Sequence, residues 1–133
     1  MAKFEAMSRN VIPKDKYELV KVVDDAASVL LYIEGAGGDV FEISFRSPLM
    51  YCKMNESYAL LTLEEVPGDV ASGGVLYRVS GSDFVDYFNR QSCGVYNNSK
   101  FGHYVIFTCD DVVHVISWDE PGIKKVIISP VSP

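Results

Sequence analysis

Histidine, tryptophan and cysteine are scarce: the 133 residues hold two histidines, one tryptophan and three cysteines. Cys52, Cys93 and Cys109 are odd in number, widely spaced and without a Cys-x-x-Cys pair, so neither a disulfide framework nor a zinc knuckle is indicated and reduced thiols are expected. His103 and His114 form neither a His-x-His nor a His-x-x-x-His spacing, so no metal and no cofactor is expected. Cationic residues are also few. Twelve Lys+Arg against eighteen Asp+Glu leave a net charge of −6, and the closest basic pair is Lys124-Lys125. Phosphate neutralisation by a basic stripe supplies nearly all non-specific nucleic-acid affinity, so nucleic acid and anionic lipid are excluded as expected partners.

Long apolar runs are missing too. The longest, such as residues 29–33, have the length of a strand, whereas a membrane span needs about twenty apolar residues. Residues 1–13 lack the apolar stretch of about seven that a secretory signal requires, which predicts a soluble cytoplasmic protein. On that expectation the sequons at Asn55 and Asn97 are chance matches. No Gly-x-Ser-x-Gly, no Gly-Lys-Ser/Thr and no Asp-x-Asp-x-Asp-Gly occurs, so a hydrolase elbow, a phosphate loop and a calcium loop are not supported.

What is present is β-forming. Hydrophobic residues make up 48% of the chain and aromatics 12%, enough for one globular domain over 1–133 with flexible tails at about 1–12 and 129–133. Period-two alternation bounded by Gly, Pro and Asp clusters predicts an α+β domain: a mainly antiparallel sheet of about six or seven short strands, a C-terminal three-strand meander, and one helix near 81–92 packed on the sheet. Residues 17–23 fit a helical stripe as well as a strand, and their valines favour the strand. Residues 28–34 and 39–46 predict a hairpin closed by Gly35-Ala36-Gly37-Gly38, with Phe41, Ile43 and Phe45 on its core face. Residues 57–65 and 74–80 suggest a second strand pair. For the helix, Ser80 or Ser82 serves as cap, Asp83 and Asp86 complement the positive dipole end, and Gly94 terminates it. Phe84, Val85 and Phe88 form its buried stripe, with Tyr87 at the margin.

The meander is read as 103–109, 112–118 and 123–129. A two-residue turn at Asp110-Asp111 would set His103 opposite Trp118 and Phe107 opposite His114, placing the histidines four positions, roughly 13 Å, apart and unable to share a metal. His114 then reads as a half-buried core residue. A Cys93 nucleophile served by His103 or His114, with Asn97 or Asn98 as orienter, is disfavoured because the C-terminal end of a helix opposes a thiolate.

Two functions remain. The first is a non-enzymatic acidic module that binds a basic protein, in character an inhibitor or immunity-type protein guarding against a basic enzyme such as a nuclease toxin. Its expected contact residues are Trp118, Asp119, Glu120, Asp110, Asp111, Tyr96 and Tyr87, because aromatics ringed by carboxylates suit a basic partner. The second is a small-molecule-binding or enzymatic α+β domain with a pocket where Cys93, His103 and Tyr104 converge, or a subunit of a larger assembly. Oligomeric state and the partner's identity are not legible.

Overall fold

A computed structural model of the protein describes residues 2–55, 74–96 and 100–127. In chain order the elements are β1 (Lys3–Ala6), β2 (Tyr17–Asp24), β3 (Val29–Gly35), β4 (Val40–Phe45), β5 (Pro48–Asn55), β6 (Leu76–Ser80), α1 (Asp83–Gln91), β7 (Gly102–Phe107), β8 (Asp111–Ser117) and β9 (Gly122–Val126). Among the described residues the strands form a five-stranded sheet, β1-β6-β7-β8-β5, and a four-stranded sheet, β2-β3-β4-β9, with α1 as the helix of this α+β fold.

Alternation decides which side chains meet between the sheets. Phe41, Ile43 and Phe45 of β4 and Val29, Leu31 and Ile33 of β3 are at most 3% exposed, and they share one core cluster with Tyr104 and Ile106 of β7 and Val113 and Val115 of β8. Phe45 and Tyr104 join the layers directly, their ring centroids 5.6 Å apart. Each aliphatic side chain buried this fully contributes about 1.5–3 kcal/mol. The opposite face of the larger sheet is apolar as well: Tyr77, Val79, Val105, Phe107 and Val112 form a second cluster. For that reason β7 and β8 lack a wet face, as their doubly apolar sequences require.

The Gly35–Gly38 segment closes the β3–β4 hairpin as expected. Gly38 has φ +93°, a left-handed conformation that a side chain would oppose, and its amide donates to the Gly35 carbonyl at 2.9 Å. Residues 17–24 are strand, resolving the ambiguity there in favour of the valines. Helix α1 begins at Ser82, whose Oγ accepts from the Val85 amide, and ends before Gly94, which has φ +74° and donates to the Asn89 carbonyl.

Several expectations fail. There is no C-terminal three-strand meander: β7 and β8 pair, but β9 crosses to the smaller sheet and pairs with β4, Ile43 facing Ile123. Half-buried Ile123 packs against the inter-sheet core, a site for its apolar side chain that β8's second edge, taken by β5, does not leave open. Strand β6 pairs with β1 and β7, leaving no edge for the partner expected at 57–65, residues that lie outside those described. The supposed N-terminal tail is ordered in part: β1 lies along β6, and Ile12 is buried in the core. The expected tail at 129–133 lies outside the described residues.

Candidate functional site

The β7–β8 hairpin sets the position of both histidines. Its register is shifted by two residues from the expectation, because the turn falls one residue earlier, at Cys109-Asp110: the Thr108 amide and its Oγ1 both donate to the Asp111 carbonyl, at 3.0 and 3.1 Å. His103 therefore faces Ile116, and His114 faces Val105. The imidazoles become diagonal neighbours on one face, and the expected 13 Å separation is wrong: His103 Nε2 lies 3.0 Å from His114 Nδ1.

The other nitrogen of His103, Nδ1, lies 2.8 Å from Ser82 Oγ, the atom that caps α1. A continuous chain results, from the Val85 amide through Ser82 and His103 to His114. Phe84, in the first turn of α1, covers both imidazoles at centroid distances of 5.1 and 4.9 Å. Ser82, His103 and His114 are 6%, 3% and 7% exposed. Burial holds His103 down to about 3, helped by the neighbouring His114, and burial alone holds His114 down to about 4. Both rings are neutral at pH 7.

A Ser-His-His chain invites a nucleophilic reading, and a cleft of about 270 Å³ is lined by Ser82 and His103 together with Arg78, Asp86 and Gly102. The chemistry opposes it. An imidazole whose conjugate acid has a pKa of about 3 is too weak a base to take a proton from serine. Nor does the closeness of the imidazoles create a metal site: no group of three or more His, Cys, Asp or Glu side chains able to hold a metal occurs among the described residues.

The Cys93 pairing with His103 fails on distance. Cys93 is exposed just beyond the C-terminal end of α1, beside a separate depression shared with Asp86, Asn89, Arg90 and Gly94. Ser82 and His103 stand at the other end of the helix, about 16 Å away along its axis. Tyr104 points to the opposite face of the sheet, into the core. Asn97 and Asn98 lie outside the described residues.

The residues expected to contact a partner divide into two regions. Trp118, 41% exposed, follows the end of β8 and rests edge-on against Tyr96 and Phe101, at centroid distances of 5.7 and 6.2 Å. Phe88 of α1 supports the group from below, stacking on Tyr96 at 5.5 Å and meeting Phe101 at 5.5 Å. Asp119 and Glu120 are exposed next to Trp118, and Glu120 reaches Arg78 at 3.6 Å. Tyr87, 46% exposed, points to water from α1. Asp110 and Asp111 do not join this group. They sit at the far end of β8, about 20 Å from Trp118, where Asp111 pairs with Lys53 at 3.3 Å.

Among the described residues no helix is long and apolar enough to cross a membrane. Searches of protein-family models, curated proteins and solved structures find no match to this chain.

Proposed function

We propose that this chain is a non-enzymatic protein-binding module of the cytoplasm, an inhibitor or immunity-type protein whose partner is basic. The observation that carries the reading is Trp118: a large aromatic side chain held half-exposed on a rigid support of Tyr96, Phe101 and Phe88, with Asp119 and Glu120 beside it. Binding energy at protein interfaces concentrates in such aromatic anchors, and flanking carboxylates select a cationic surface and speed its approach. The net charge of −6 acts in the same direction. Asp110 and Asp111, remote from this platform, take no part in the reading.

The test is a paired capture experiment with wild-type protein and the Trp118→Ser and Asp119→Lys/Glu120→Lys variants. A basic partner should be retained by the wild type alone, with affinity falling steeply as salt rises. Equal retention by all three proteins would remove Trp118 and the acidic pair from recognition and overturn the proposal.

A further inference from the structure

The geometry points to an acid-sensitive latch: the Ser82–His103–His114 chain pins the N-terminal end of α1 to β7 and β8 while it is neutral, and taking up two protons breaks the chain and releases α1 together with its aromatic cluster. The argument begins with hydrogens. In one arrangement Ser82 Oγ–H donates to His103 Nδ1 and His103 Nε2–H donates to His114 Nδ1, while the Val85 amide donates to Ser82. A first added proton can be accommodated by reversing the chain, so that His114 Nδ1–H donates to His103 Nε2 and His103 Nδ1–H donates to Ser82 Oγ. A second proton has nowhere to go. It would set an N–H against an N–H across the 3.0 Å contact and two like charges within one dry site.

Among the described residues, no carboxylate hydrogen-bonds to either imidazole. Among the described residues, those paired with or packed directly on the imidazoles include Cys52 of β5, Val79 of β6, Ser82 and Phe84 at the start of α1, Val105 of β7 and Ile116 of β8. None is a carboxylate. Asp86 of α1 and Arg78 of β6 line the cleft beside His103, one of each sign, and both are exposed to water, as are Asp83 and Arg90. Release of α1 is the way for both imidazoles to charge in water, and Phe88 would leave with it, removing the support of Tyr96, Phe101 and Trp118.

The consequence for partner binding rests on the reading above, but the test requires no partner, so either can fail alone. Trp118 is the only tryptophan in the chain and stands in the cluster, so its fluorescence reports the latch without labelling. The full chain is titrated from pH 8 downwards while Trp118 emission and amide exchange are followed, exchange being compared between Asp83–Gln91 and the strands Val29–Gly35 and Val40–Phe45. Below the ordinary imidazole pKa of about 6.5, the helix should lose protection and Trp118 emission should shift before either strand opens. His114→Asn keeps a polar group facing His103 but removes one titrating site, so its transition should be shallower and lower by about one pH unit. Ser82→Ala, with both imidazoles intact and the tether to the helix cut, should release at higher pH than the wild type, and it decides the matter if His114→Asn does not fold. Transitions of His114→Asn or Ser82→Ala that coincide with the wild type, or strands that open at the same pH as the helix, overturn the latch.

Discussion

His103 and His114 sit on neighbouring strands with Nε2 and Nδ1 3.0 Å apart, and each ring is buried by the protein that surrounds it. Two neutral imidazoles in one dry site tie stability to pH in a definite direction. Their folded-state values, about 3 for His103 and about 4 for His114, lie below the ordinary value of about 6.5, so the unfolded chain binds more protons. Stability from this source is complete above pH 6.5 and is lost as pH falls towards 4 and then 3. The slope should reach about 2.7 kcal/mol per pH unit with both rings contributing. Urea unfolding at pH 7.5, 6 and 5 checks this, and equal midpoints at all three would contradict the burial of the pair.

Ser82 holds two roles in a single oxygen, capping the Val85 amide at 3.1 Å and meeting His103 at 2.8 Å. Ser82→Ala should therefore cost more than an ordinary cap, about 2 kcal/mol. Ser82→Asn, which can cap but is too bulky for a site 6% exposed, should recover little of it. Chemical denaturation of the three proteins at pH 7.5 measures both.

Gly102 stands where a side chain cannot. A Cβ there would lie 2.5 Å from the Tyr104 hydroxyl and 2.7 Å from its ring, and Tyr104 is itself 2% exposed against Phe45. Gly102→Ala should lower stability by about 1–3 kcal/mol, as overpacking of a filled core does. A thermal melt of Gly102→Ala indistinguishable from wild type would show that the ring can move freely.

The three cysteines should separate by accessibility. Cys93 and Cys109 are exposed and Cys52 is partly covered on β5 next to His114, so a thiol reagent at pH 8 should modify two groups quickly and the third slowly. Mass spectrometry of the partly labelled protein assigns them, and fast labelling of Cys52 would mean that the β5 edge opens in solution.

Trp118→Ser should leave a folded protein, since the side chain is 41% exposed and contributes to a peripheral aromatic group rather than to the core between the sheets. Far-UV circular dichroism should be nearly unchanged and the thermal midpoint lowered by a few degrees, about 1 kcal/mol. A collapse of the fold would make Trp118 a core residue.

The β3–β4 hairpin and α1 were legible because their signals are local. Phe41, Ile43 and Phe45 alternate with Glu42 and Ser44, and the Ser82 cap lies within three residues of the amide it satisfies. The doubly buried β7 and β8 were legible for the same reason. The Ser82–His103–His114 chain was not, although its signal lay in the hairpin loop: Asp110-Asp111 makes a poor two-residue turn, and closure at Thr108 moves the register by two residues. A shift of two preserves every facing and changes every neighbour, so the shared face of the two histidines was anticipated and their contact was not.

The sequence by itself determined the residue types available to this protein: a net charge of −6, one tryptophan, two histidines, and apolar alternation that had to be buried on strands. The tertiary structure decided which of them meet. It placed Ile123 across from Ile43 in the second sheet, Trp118 on Tyr96 and Phe101, and His103 against both Ser82 and His114. The physical reason is range: periodicity and capping act over a few residues, whereas strand register and sheet partner are selected by packing between segments that are distant along the chain.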